Sequence, residues 1–118
     1  MTPTRREVMS DYAWIIDKDH LYEEGGICGD EAGVIGPHDA NLSEGSDDPK
    51  AELTRNYQRH NQFRMYDDDD ELYYTGTLFW NGDDPEEEFV YGPLGDFGMP
   101  NAGCTDIRYT GHPEWDCG

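Results

Sequence analysis

Residues 62–80 read QFRMYDDDDELYYTGTLFW. Two stretches of alternating polarity flank four consecutive aspartates, and this arrangement predicts a β-hairpin with an acidic turn. Placing Tyr66 opposite Glu71 sets Met65 against Leu72 and Phe63 against Tyr74. Four large apolar side chains then share one face, and Arg64 and Gln62 fall opposite Tyr73 and Thr75 on the other. Period-2 alternation with matched cross-strand pairs is the signature of a half-buried sheet. Asp67, Asp68, Asp69 and Asp70 cannot be desolvated together, so they form the exposed loop.

Upstream, residues 11–17, DYAWIID, form a further strand. Tyr12, Trp14 and Ile16 lie on one face, Ala13 and Ile15 on the other. Apolar residues on both faces place this strand centrally in the sheet or inside a barrel. Residues 18–31 are loop-like. AGVIG, 32–36, closed by Pro37, reads as a second strand paired with the first, its glycines marking a bulge or a tight crossing. Residues 38–48 carry turn and linker chemistry. Asp48 and Pro49 then start a helix, a carboxylate N-cap followed by proline at the first helical position. It is expected to run over about 49–60, with Leu53 and Tyr57 as a narrow apolar face and Arg55, Arg59 and His60 toward its C-terminal end.

Downstream, Gly76 is a candidate bulge, and Asn81-Gly82-Asp83-Asp84-Pro85 a second turn with Asn-Gly as its main signal. Glu86-Glu87-Glu88 is expected to lead into a strand, Phe89-Val90-Tyr91. A Gly/Pro-rich loop over 92–103 folds back through Leu94, Phe97 and Met99, and a last strand runs from Cys104 to Tyr109. The domain reading is a flexible arm over 1–10, one compact mostly-β domain over 11–109, and a flexible tail over 110–118. The fold expected is mainly β (α+β), a small SH3-like or half-open barrel with one short helix. An α+β sheet with one covering helix is the alternative.

The chain has 118 residues, one domain's worth. Aromatic residues make up 13%, too many for a disordered chain. There are 27 Asp+Glu against 8 Lys+Arg, a formal net charge of −19. Self-repulsion on this scale opposes compaction. A globule of this length has a diameter of roughly 35 Å, and duplex DNA carries on the order of 20 charges over that span. The total charge therefore matches a DNA segment of the same size. With no basic stripe to neutralise phosphates, direct nucleic-acid binding is excluded. The same acidity, with only Lys18 and Lys50 as lysines, also suits a halophilic housekeeping domain or a surface built for solubility.

Cys28, Cys104 and Cys117 have no CxxC spacing, and an odd count argues against a full disulfide framework. The N-terminal MTPTRREVMS has no apolar core region, so no signal peptide is expected. No apolar run approaches the roughly 20 residues needed to span a bilayer. A cytoplasmic location with reduced thiols is the expectation.

No cofactor, metal or catalytic group is expected. Counting an EF-hand from Asp67 puts Leu72 at the sixth position and Leu78 at the twelfth, where glycine and glutamate belong. His20, His38, His60 and His112 lack zinc spacing. Asp96-Phe97-Gly98 spells a kinase metal-binding tripeptide, without the loops or length of a kinase. Two acidic stretches are the candidate partner-binding surface: Asp67, Asp68, Asp69, Asp70 and Glu71, then Asp83, Asp84, Glu86, Glu87 and Glu88. Tyr73 and Phe79, opposite the Leu72–Tyr74 face, are the candidate aromatic contacts. In an SH3-like fold that aromatic face would bind peptides. A covering helix would instead bury part of it.

Two stretches carry a family likeness, FRMYDDDDELYYTG over 63–76 and GPLGDFGMPNAGC over 92–104. With Trp14-Ile15-Ile16, Asp19-His20-Leu21 and Val34-Ile35-Gly36-Pro37, the chain resembles small acidic proteins encoded by actinobacteria and their phages. The likeness covers most of residues 12–109, and Asp70 stands where those chains usually have glycine. It carries over no activity and no functional residue. It implies a mobile-element setting, in which small acidic chains are often inhibitors of host defence such as anti-restriction or anti-CRISPR proteins. The expected function is a non-enzymatic acidic interaction protein that presents a DNA-like negative surface to a basic, nucleic-acid-binding host protein. A peptide- or protein-binding module with incidental acidity is the alternative.

Overall fold

The structure, a computed structural model, describes residues 11–23, 31–37, 39–43 and 45–117. The expected arm over 1–10, Cys28 and His38 lie outside the described residues. Five strands form one open antiparallel sheet: β1 (Tyr12–Asp19), β2 (Ile35–Gly36), β3 (Arg59–Tyr66), β4 (Leu72–Trp80) and β5 (Asp106–Tyr109). Their order is β2-β1-β4-β3-β5. The helices are α1 (His20–Glu23), α2 (Pro49–Asn56), α3 (Glu87–Pro93) and α4 (Met99–Ala102), the last two joined by a π-helical turn, Leu94–Gly98. The protein is thus α+β, with several helices where one was expected. Among the described residues no helix is long and apolar enough to cross a membrane.

The hairpin forms, with its expected register displaced by two residues. Phe63 pairs with Gly76 and Met65 with Tyr74, and a bulge then sets Tyr66 against Leu72. A slip of two preserves the faces of a strand, so Phe63, Met65, Tyr74 and Leu78 still share one core. Gly76 itself is not bulged. A Cβ there would collide with the Ile15 carbonyl and the ring of Phe63, so the residue is small because a phenylalanine lies across it. The irregularity falls instead on β1, between Ile16 and Lys18.

β1 is central, between β2 and β4, as its two apolar faces require. Trp14 and Ile16 enter the larger core with Phe89, Val90, Leu94 and Phe97 from the α3–α4 arch. Ala13 and Ile15 enter a smaller core with Leu53 and Tyr57 from the α2 end and with Phe79. Tight approach marks β2 as expected: a Cβ on Gly36 would meet the indole of Trp14.

α2 starts as its cap predicts, with the Asp48 carboxylate accepting from the Ala51 amide at 3.3 Å. It ends at Asn56, earlier than the expected residue 60. Tyr57 adopts an extended conformation and buries its ring against Phe79. Arg59 and His60 then pair with Trp80 and Phe79 as the start of β3. β4 is nine residues long, and a partner strand beginning at residue 62 would leave its far end unpaired.

The expected strand over 89–91 is wrong, because α3 occupies it. Glu87 and Glu88 sit in the first helical turn, where negative charge suits the macrodipole. Phe89, Val90, Pro93, Leu94 and Phe97 then fall on one buried helical face. The 92–103 segment does fold back, but as helix, with Leu94 and Phe97 buried and Met99 exposed. β5 keeps the expected alternation, with Ile107 and Tyr109 buried. Residues 110–117 turn back on β5: Cys117 bridges Ile107 through two backbone hydrogen bonds, 2.9 and 3.0 Å, and the Asp116 carboxylate accepts from the Tyr109 amide.

Candidate functional site

The two acidic stretches cap opposite ends of β4. At about 3.3 Å per residue its nine residues hold them roughly 30 Å apart.

At the first end, Asp67 organises the turn. Its Oδ1 accepts from the amides of Asp69 and Glu71, both at 2.8 Å. The Asp67 and Glu71 backbones close the loop with a 3.0 Å bond. The Glu71 amide is the main reason the Asp67 carboxyl lies below its ordinary range, with the Asp69 amide and the Tyr73 hydroxyl adding to it. The same contact with Asp67 raises the Tyr73 phenol. Asp70 adopts φ +64°, a conformation that glycine reaches without strain and that Asn and Asp tolerate better than most. Its carboxylate is held by Arg108 at 2.6 Å. Arg108 also pairs with Asp106 at 3.0 Å and lies 4.2 Å over the ring of Tyr66. Asp68, Asp69 and Glu71 are exposed, and among the described residues no ion pair or side-chain hydrogen bond engages their carboxylates. Asp67, Asp68 and Asp69 can bring one oxygen each within 4.8 Å of one another. That proximity is ordinary for a carboxylate turn, and it stands alone.

At the other end, two side-chain amides and one arginine hold the turn. The Asn81 side-chain Oδ1 accepts from the Gln58 backbone amide, and the Gln58 side-chain Oε1 accepts from the Gly82 amide. Arg59 donates from Nε to the Gly82 carbonyl at 2.9 Å and lies 3.5 Å from the Asp83 carboxylate. The Trp80 indole donates to the Asp83 carbonyl. Asp84, Glu86, Glu87 and Glu88 remain exposed with no ion pair or side-chain hydrogen bond among the described residues.

The aromatic candidates are not an exposed contact face. Phe79 is fully buried beneath Leu53 and Tyr57. Tyr73 is the bulged residue of β4; it packs against the larger core and reaches Asp67. Tyr22 and Tyr91 are the exposed aromatics among the described residues, and a half-buried aromatic cluster lies beside Asp83. There His112 stacks on Trp115 at 3.7 Å with the planes 4° apart, and Trp80 meets Trp115 edge-on at 5.6 Å. These groups, with Arg59 and Asp84, line an open cleft of about 220 Å³. Its members are scattered over residues 59–115, so only the fold assembles them; Trp115 in an otherwise polar tail was the sole signal. A larger groove of about 420 Å³ is lined by residues including Ile35, Leu42 and Pro49, with no ionisable or aromatic side chain among the described residues that line it.

Other groups with chemical potential are built into the fold. Cys104 is a core residue whose thiol burial pushes up to about 12, far from a nucleophile at neutral pH. The carboxylate of Asp96, in the kinase-like tripeptide, accepts from the Tyr12 hydroxyl at 3.0 Å and the Trp14 indole at 3.3 Å, pinning the helical arch to β1. Asp19 is buried and accepts from the amides of Tyr22 and Glu31. Asp17 accepts from Thr77 and pairs with Lys50. Compared with protein-family models, with curated proteins and with solved structures, the chain finds no match.

Proposed function

We propose that this protein is a non-enzymatic, acidic interaction protein of phage or mobile-element origin. It acts in the cytoplasm, where it occupies the basic surface of a nucleic-acid-binding host defence protein in place of DNA. The observation that carries this reading is the rigid display of unneutralised carboxylates at two points roughly 30 Å apart. Ten of the 27 acidic residues belong to the two stretches, and seven of those ten are exposed with no ion pair or side-chain hydrogen bond among the described residues. Long-range attraction from such groups raises association rates, and contacts at the interface then give specificity. Of the expected aromatic contacts Phe79 is buried and not available for that second role, while Tyr73 is half-buried, as are His112 and Trp115 beside Asp83. The SH3-like peptide-binding alternative loses its main support, because the face it would use is covered by the α2 end.

The test is affinity for a candidate defence nuclease as salt rises from low to physiological. A steep fall is expected, steeper for the native chain than for one with both stretches changed to Asn and Gln. Affinity independent of salt would remove the electrostatic basis of the proposal.

A further inference from the structure

Resting on the interaction reading above, we infer that the cleft beside Asp83 receives an arginine side chain of the basic partner. Three features converge there. His112 stacks face to face on Trp115, which Trp80 backs edge-on, and its Nδ1 lies 2.9 Å from the Glu114 carboxylate, so the outer face of the imidazole is a flat surface fixed in orientation. A guanidinium stacks on such a surface, while a lysine ammonium lacks the plane to do so. The rim offers acceptors: the Asp83 carboxylate, whose side chain is 99% exposed, and that of Asp84. The rim also already holds one guanidinium. Arg59, which lines the cleft with His60, donates from Nε to the Gly82 carbonyl and approaches Asp83 Oδ1 with its terminal nitrogen, which leaves Asp83 Oδ2 and the Asp84 carboxylate for an incoming guanidinium. At about 220 Å³ the open volume suits one long side chain and not a helix or a folded loop.

The acidic run from Glu86 to Glu88 follows directly in the chain, so a partner drawn in by charge arrives at the cleft. Buried aromatic and arginine contacts are the usual centres of binding energy in protein interfaces. The cleft would thus be the short-range contact, and the two acidic stretches the long-range one.

The experiment uses the full chain and two synthetic peptides of equal length and charge, one with arginine and one with lysine, titrated by calorimetry at low and physiological salt. The native chain is expected to bind the arginine peptide about tenfold more tightly. Changing His112→Ala, or Asp83→Asn together with Asp84→Asn, should remove that preference, with melting temperature confirming an intact fold. Changing Asp68→Asn with Asp69→Asn should weaken both peptides alike and leave the ratio standing. Equal binding of the two peptides by the native chain, or a preference that survives both cleft variants, overturns the arginine assignment while leaving the acidic-surface reading intact. Absence of binding by either peptide at low salt overturns both.

Discussion

The two acidic stretches look alike in sequence and are built in opposite ways. In the turn over 67–71 carboxylates make the structure. Asp67 binds two amides and Asp70 is clasped by Arg108. In the turn over 81–85 the Gln58 and Asn81 amides and the Arg59 guanidinium do that work, and of the carboxylates there and just beyond only Asp83 has an ion-pair partner among the described residues. A run of aspartates is therefore not one kind of object. Where the acid groups hold a backbone loop they are partly neutralised and constrained. Where the loop closes without them they stay available to something else.

The largest effect should come from undoing what anchors the second stretch. Phe89 is buried and stacks on Tyr12 at 4.9 Å. Phe89→Ala should cost about 3–5 kcal/mol in urea unfolding and speed amide exchange through α3. The amides of Asp69 and Glu71 should keep their protection. If both turns loosen together, the two ends are not independent units.

Next in size is Asp67. Its folded pKa is depressed, so its contribution is fully present above the ordinary carboxylate range, about 4, and is lost as pH falls through the lower folded value. Asp67→Ala should lower the melting temperature at neutral pH. Asp67→Asn, which can still accept the two amides, should lower it less and flatten the acid side of a melting-temperature profile. An acid limb identical in all three chains would show that the carboxylate does not hold the turn.

The smallest effect concerns Asp70, where two terms oppose one another. Asp70→Gly relieves the left-handed conformation and loses the pair with Arg108, so stability should change by less than about 0.5 kcal/mol. In an Arg108→Ala background only the relief remains, and the same change should stabilise by about 0.5–1 kcal/mol. A double-mutant cycle by denaturant melts measures this, and equal effects in both backgrounds would sink the compensation.

Much of the scaffold was legible in the residues. Alternation gave the hairpin, two-faced apolarity gave the central place of β1, and Asp-Pro gave the start of α2. The register was displaced because the run of like aspartates does not show which of them, Asp67, binds the loop amides or that Tyr73 bulges. Phe89-Val90-Tyr91 was read as a strand because a three-residue apolar run has no period of its own. Its helical partners, Leu94 and Phe97, sat among glycines and a proline that signal loop. Phe79 passed for a contact residue because nothing local shows that Leu53 and Tyr57 fold over it. The aromatic cleft could not be read at all, since its parts meet only after β3, β4 and the C-terminal segment are in place.

The fold-back of Cys117 onto Ile107 gives the outer rim of β5 a short, self-supplied neighbour. Strand rims are where chains recruit one another into fibrils. Repulsion between molecules so charged also keeps them dispersed, yet repulsion fades in salt. Hydrogen-bond closure does not, so this last stretch of chain covers part of that rim under the very conditions that silence the charge.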